Sequence, residues 1–303
     1  MTAATMKKPS AKRYGVTNRM TFGRAIIYVL LTMMGFVMLY PMWYVLCVSF
    51  SNNVAMSGKG MIFWPVEFNL DAYRYVLGTP DLINIYGNTL YVMVFGVLLS
   101  MALTVCAAYG LARKPKGYKI ATYFFLIPML FSGGTIPAYL NMRSFGLLNN
   151  LWSLVLCAAF STYNCFILRN FFASIPESLM EAAEIEGAGT LTTLVKIVLP
   201  LSMAGIATIA LFYGVGYWNM YFSALIYCNK RVNWVLQVFL KEVLISSSAD
   251  IMGGGADNAA GMKTSSRTVQ MAVVFVSVVP VLCIYPFIQR YFVKGVMVGA
   301  VKG

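Results

Sequence analysis

Charged residues divide the chain into long uncharged runs: Ala25–Phe50, Leu82–Ala112, Ile120–Met142, Ser144–Leu168, Ile197–Asn229 and Thr268–Gln289. Each exceeds the roughly 20 residues a helix needs to cross about 30 Å of hydrocarbon. The runs are continuously apolar and do not alternate with period two, so they read as helices and not as strands of a closed barrel. The pattern predicts an all-α integral membrane protein with six transmembrane helices. The first run is longer than the apolar region of a signal peptide, and no small-residue cleavage site follows it. Pro41 falls late in that run, where a membrane helix tolerates it.

Composition sharpens this picture. Of 303 residues, 59% are hydrophobic and 11% charged, against about 25% charged in an average soluble domain. A soluble helical protein of this size lacks the polar surface to cover itself. Lys and Arg counts set the orientation. With the N-terminus inside, the inner segments hold Lys7, Lys8, Lys12, Arg13, Arg19, Arg24, Arg113, Lys114, Lys116, Lys119, Arg169, Lys196, Arg290, Lys294 and Lys302, fifteen in all. The outer segments hold eight: Lys59, Arg74, Arg143, Lys230, Arg231, Lys241, Lys263 and Arg267. The bias predicts both termini in the cytoplasm. The formal charge of +13 then reflects topology and contact with anionic membrane lipid. Nucleic acid is not an expected partner, because the basic residues flank helices and form no single face. The six cysteines lie in apolar runs without metal-ligand spacing, and the chain has no histidine. No metal site, catalytic residue or bound cofactor is expected.

The runs imply a basic cytoplasmic tail over residues 1–23, a transmembrane domain over 24–293 and a second cytoplasmic tail over 294–303. Residues 51–81 form an outer segment whose Phe63-Trp64-Pro65 suits the membrane interface. Phe131-Ser132-Gly133-Gly134-Thr135-Ile136-Pro137 interrupts the third run, either as a helix broken to line a cavity or as a simple helix end. Residues 230–267 form a long outer loop, with a short helix expected over Val232–Ile245. The glycine run after Met252 lacks the strand and the Gly-Lys-Ser/Thr of a phosphate loop.

The inner segment between the fourth and fifth runs has its own logic. Ser174 and Glu177 form a capping-box pattern, and Pro176 suits a first helical turn. Glu177, Glu181, Glu184 and Glu186 load the N-terminal part, where the helix dipole favours negative charge. Gly187 and Gly189 end it. A short helix over about 175–188 follows, with an apolar stripe of Leu179, Met180, Ala183 and Gly187. Its small residues allow the backbone of a cytoplasmic partner to approach closely.

Glu181-Ala182-Ala183, then Gly187, then Ile197 and Leu199-Pro200, at these spacings, resembles the EAA loop of ATP-binding-cassette importer permeases. Seven fixed identities arise by chance about once in 10⁸ windows. The run from Phe131 to Pro137, the segment Leu168-Arg169-Asn170-Phe171-Phe172 and the stretch Tyr285–Gly295 are similar to the carbohydrate-uptake branch, of maltose-permease-like and LplC-like type. That branch usually places Asp before the loop glycine; here Glu186 keeps the charge. The resemblance implies that Glu181, Ala182, Ala183, Glu186, Gly187, Ile197, Leu199 and Pro200 couple the chain to an ATPase. It also implies a second, homologous permease, two ATPase subunits carrying ATP and Mg, and an extracellular solute-binding protein. Substrate would be an oligosaccharide or other carbohydrate, imported across a bacterial plasma membrane. The chain itself has no Walker motif and is not expected to be an enzyme.

Sugars favour aromatic platforms with amide and hydroxyl partners. The candidates on the substrate path are Asn88, Tyr91, Asn164, Tyr213, Tyr217, Trp218 and Asn219; for each, interfacial or helix-packing roles compete. Tyr213 and Tyr217 share one face by i,i+4 spacing. A secondary transporter would show ionisable residues inside the runs, and none occurs. An intramembrane enzyme would need catalytic groups there. A permease for a non-sugar solute would share the EAA loop but not the carbohydrate-type tail.

Overall fold

A computed structural model describes residues 22–56, 60–252 and 267–300. Among these there are helices and turns but no strand. The segments expected as a basic tail up to residue 21 and as a glycine run over 253–258 lie outside them. Two compact units divide the chain, residues 1–44 and 45–303.

In chain order the helices are α1 (Phe22–Ser49), α2 (Asn53–Met56), α3 (Asp71–Leu77), α4 (Pro80–Ala112), α5 (Tyr118–Leu130), α6 (Thr135–Ser144), α7 (Leu151–Cys157) and α8 (Thr162–Ala173). Then follow α9 (Glu177–Ile185), α10 (Thr190–Thr193), α11 (Leu199–Leu201), α12 (Met203–Trp218), α13 (Phe222–Tyr227), α14 (Leu236–Met252) and α15 (Arg267–Ala300).

Among the described residues, only α1 and α4 are single helices long and apolar enough to cross a membrane. At 28 and 33 residues they reach about 42 and 50 Å. Pro41 sits inside α1 without ending it.

Three other runs are bent, one of them at the interruption expected from Phe131–Pro137 and two without such a signal. α5 and α6 meet at 110°, α7 and α8 at 54°, and the arm Thr190–Leu201 meets α12 at 85°. Counting each bent pair as one span gives up to five, beside α15. The cause of the first break is visible: Gly134 has φ +86, in the left-handed region that favours glycine. α5 stops at Leu130 and α6 starts at Thr135, so the helix does end within the segment singled out from sequence. α14 begins at Leu236, four residues later than the expected helix, because Arg231–Asn233 forms a 3₁₀ turn first. α15 continues to Ala300, so helix takes up most of the segment read as a second tail.

α4 is the axis of the second unit. Gly96, Ser100, Thr104 and Ala108 repeat every four residues and are all buried. This small-residue stripe lets neighbouring helices approach closely. A Cβ on Gly96 would lie 2.5 Å from the Tyr217 ring of α12. A Cβ on Gly205 of α12 would lie 2.6 Å from the Phe171 ring of α8. Glycine and aromatic ring thus interlock at two crossings, between α4 and α12 and between α8 and α12.

The connection after α13 is stitched down. Asn149 accepts the N–H groups of Asn229 and Lys230 at 2.8 and 3.0 Å. Arg231 donates to Asp81 at 2.9 Å and lies 3.8 Å from Glu242.

Candidate functional site

α9 forms where the sequence places a helix, but its ends are built differently. Ser174 does not cap it. Ser174 closes α8, and its hydroxyl donates to Phe171 O at 2.8 Å. Pro176 is the residue before the helix, which spans Glu177–Ile185. The capping-box reading fails because Ser174 lies three residues before the helix and already belongs to the previous one.

The C-terminal end is closed by Gly187, as expected, while Gly189 instead precedes α10. Gly187 has φ +76. Its N–H reaches Glu184 O at 3.0 Å, and the Ala188 N–H reaches Ala183 O at 2.9 Å. These are the two bonds of a Schellman ending, which needs a left-handed residue and so favours glycine. A Cβ on Gly187 would meet nothing within 4 Å inside the chain.

Burial divides the motif in two. Glu181, Ala182, Glu186 and Gly187 are exposed. Met180 and Ala183 are buried against the chain itself. Ala183 therefore does not belong to an outward-facing stripe; it turns inward with Met180. The outward apolar surface comes from Leu179 and from two residues outside the motif, Ile185 at 87% exposure and Leu191 at 76%. One ion pair ties α9 to the helix axis: Arg113, the residue that caps α4, donates to Glu184.

The rest of the motif shapes the arm behind α9. Pro200 has no N–H, and its ring crowds the carbonyl of Lys196. The helix adapts with a π turn over Leu194–Val198, in which Leu199 N–H bonds Leu194 O. Ile197 and Leu199 are half-buried against the main apolar cluster, while Pro200 is exposed. The arm then bends at Ser202 into α12. The C-terminal end of α9 is thus joined to the bundle twice, through Glu184 and Arg113 to α4 and through the arm to α12.

The residues singled out as sugar contacts fall into different places. Asn88 is engaged by the connection between α13 and α14, donating to Val232 O and Trp234 O at 2.7 and 3.0 Å. Tyr91 joins Phe95 and Trp152 in an aromatic group, with ring centroids 4.6 and 6.4 Å away. Trp218 is buried in a separate cluster with Leu236 and Phe239. Asn219 caps α12, donating to Val215 O at 2.9 Å.

The hydroxyls of Tyr213 and Tyr217 serve helix packing. Tyr213 OH lies 2.7 Å from Thr104 Oγ1 and accepts the Ser161 N–H at 3.0 Å. Tyr217 OH donates to Val155 O at 2.9 Å and lies 3.0 Å from Ser100 Oγ. Two residues four apart on α12 thus meet two residues four apart on α4. The structural partners Ser100 and Thr104 were not singled out from sequence; the four-residue spacing of small side chains was the available signal.

Of the seven candidates, Asn164, Tyr213 and Tyr217 line one cavity together. It is an open cleft of about 250 Å³ at the break between α7 and α8. Among the described residues, no group of His, Cys, Asp and Glu is placed to hold a metal ion.

Comparison with known proteins agrees with this architecture. No family model matches the chain. The polygalacturonan/rhamnogalacturonan transport system permease protein YtcP of Bacillus subtilis is 41% identical over 279 residues, covering 92% of this chain and 97% of YtcP. Protein LplC of the same organism is 37% identical over 270 residues, covering 89% and 91%. A crystal structure of a bacterial ABC transporter involved in the import of the acidic polysaccharide alginate contains a chain that superimposes with a TM-score of 0.80 at 32% identity. The match covers 91% of this chain and 100% of that one. The chain therefore belongs to the permease subunits of ABC importers, in their carbohydrate-uptake branch.

Proposed function

We propose that this chain is one half of the membrane channel of an oligosaccharide importer in a bacterial plasma membrane. A second, homologous permease forms the other half, and substrate crosses between the two by alternating access. Two ATPase subunits hold ATP and Mg, and an extracellular solute-binding protein delivers the sugar. Six spans with both termini in the cytoplasm put α9 on the inner face, beside the basic turn Arg113–Lys119. Cytoplasmic placement of that turn follows the excess of Lys and Arg in inner segments.

The observation that carries this reading is the construction of α9. It is a short helix with an exposed, glycine-closed end and exposed Ile185, linked from that end both to α4, through Glu184 and Arg113, and to α12, through the arm. Closure of the ATPase dimer would push on the exposed face. The push would reach α4 through Arg113 and α12 through the arm. Glu181, Ala182, Glu186 and Gly187 meet the ATPase in this scheme. Ala183, Ile197 and Leu199 hold the helix and arm to the bundle, and Pro200 sets the arm's π turn.

Co-expression with its neighbouring permease and ATPase genes tests the assignment. The expected result is one complex of both permeases and two ATPases, importing an oligosaccharide into proteoliposomes only with ATP on the ATPase side. Uptake driven by an ion gradient without ATP would contradict it.

A further inference from the structure

We propose that the α7–α8 break is a moving joint through which α12 passes the motion of the ATPase to the cavity wall, with Tyr213 and Tyr217 as its positioning residues. Tyr213 keeps α8 fastened to α12, and Tyr217 releases and retakes α7. The inference rests on the ATP-driven import argued above and adds the place in the chain where the wall moves.

The hydrogen bonds across the break carry it. In an unbroken helix Val155 O would accept the Ala159 N–H, Cys157 O the Ser161 N–H, and Ala158 O the Thr162 N–H. Here the Ala159 N–H turns back to Leu156 O at 3.2 Å, and side chains from two other helices take the vacated groups. The Tyr217 hydroxyl of α12 donates to Val155 O at 2.9 Å. Ser100 Oγ of α4 lies 3.4 Å from Ala158 O. The Tyr213 hydroxyl of α12 accepts the Ser161 N–H at 3.0 Å. A break in a membrane helix needs such substitutes, because lipid offers the freed backbone groups no partner. The bend of 54° thus depends on side chains carried by other helices, and it changes when α12 moves.

Which side of the break follows α12 is set by where each piece is fastened. α12 holds α8 at two separated points. One is Gly205 against the Phe171 ring, where a Cβ would lie 2.6 Å away. The other is Tyr213 against the Ser161 N–H. These points span about 12 Å of α12 and about 15 Å of the chain through α8, so the two helices move together. α7 is fastened elsewhere. Asn149, just before it, donates its N–H to Tyr227 O at 2.7 Å and holds the N–H groups of Asn229 and Lys230. Among the described residues, one hydrogen bond ties α7 to α12, from Tyr217 to Val155 O. A single side-chain bond between membrane helices is weak and exchanges readily. The connecting residues Ala158, Ala159, Phe160 and Ser161 lie outside any helix, and a hinge needs only a few such residues to absorb a change of angle.

α12 is also the helix that the arm drives. The arm Thr190–Leu201 follows α9 and meets α12 at 85°. Displacement of α9 therefore turns α12 and α8 together against α7. The cleft of about 250 Å³ lies at this joint, with Ala158, Ser161 and Asn164 in one wall and Tyr213, Gly216 and Tyr217 in the other. A change of bend resizes it.

The test is pulsed spin-label distance measurement on the complete reconstituted transporter, nucleotide-free and trapped with ATP, Mg and vanadate. Labels on a non-natural amino acid avoid the six native cysteines. One pair occupies the exposed positions Leu156 and Asn170, on α7 and α8; the other occupies Asn170 and the exposed Val215, on α8 and α12. The α7–α8 distance is expected to differ between the two states by about 2 Å or more, while the α8–α12 distance stays the same. Tyr217→Phe, compared at matched amounts of assembled complex, is expected to halve that difference at least and to lower the ratio of sugar imported to ATP hydrolysed several-fold. Tyr213→Phe is expected instead to spread the α8–α12 distance. A role for Tyr217 in packing alone would lower the amount of complex and leave the shift and the ratio per complex untouched, and that result overturns the proposal. So does an α7–α8 distance that is equal in both states of a wild-type transporter importing with ATP. If Tyr217→Phe does not assemble, Ser100→Ala, which removes the group facing both Ala158 O and Tyr217, is read in the same way. Sugar uptake without ATP overturns the import reading instead.

Discussion

The Tyr213 hydroxyl lies 2.7 Å from Thr104 Oγ1, across a gap of 109 residues in sequence. One turn along, Tyr217 meets Ser100 at 3.0 Å. These contacts join α4 and α12 in a polar ladder inside an apolar bundle. A buried hydroxyl without a partner costs about 1–3 kcal/mol, while interhelical bonds within membranes average about 0.6 kcal/mol. Tyr213→Phe leaves the Ser161 N–H unpaired as well as Thr104, so the larger figure applies. Thermal unfolding of the purified complex should show a lower midpoint for Tyr213→Phe than for Thr104→Val. The double variant should fall short of the sum of the two.

The two glycine crossings give a steric prediction. Gly96→Ala places a methyl 2.5 Å from the Tyr217 ring, and Gly205→Ala places one 2.6 Å from the Phe171 ring. Neither ring is a flexible chain end that moves aside cheaply, so each substitution separates two helices. Both should reduce the yield of folded permease. Gly216→Ala, whose Cβ meets nothing within 4 Å, should not. Fluorescence-detected size exclusion of tagged permease reads all three.

Some of this was legible in the sequence and some was not, for identifiable reasons. The Gly187 ending was legible because a left-handed turn after a helix is a local requirement. The break at Gly134 was legible for the same reason. The break between α7 and α8 was not: Ala158-Ala159-Phe160-Ser161 is as apolar as a continuous helix, and Ser161 is made a cap by its contacts with Tyr213 and Asn164. The inward turn of Ala183 depends on how α9 lies against the bundle, which no periodicity fixes. Likewise, i,i+4 spacing showed that Tyr213 and Tyr217 share a face. It could not show that Thr104 and Ser100 occupy their hydroxyls.

The Arg113–Glu184 pair is predicted to position α9 and not to stabilise the fold. Both side chains are partly exposed, 36% and 59%, and exposed pairs contribute about 0–1 kcal/mol. Arg113→Glu should therefore leave the melting temperature nearly unchanged but lower the ratio of sugar imported to ATP hydrolysed. Restoring the pair with reversed charge, Arg113→Glu with Glu184→Arg, should recover that ratio. A double variant no better than the single one would remove the pair from the coupling path.

The claim that α9 receives the ATPase is tested most directly at Ile185. Its side chain is 87% exposed and touches nothing the fold depends on, so a charge there disturbs docking alone. Gly187→Trp adds bulk at the same end, together with strain at a φ of +76, and should act in the same direction. The measurement is ATPase co-purification and ATP-driven sugar uptake by the reconstituted complex carrying Ile185→Asp. The account predicts that the two permeases still assemble while bound ATPase and uptake fall at least ten-fold. Full ATPase binding with uptake equal to the unmodified complex would contradict it.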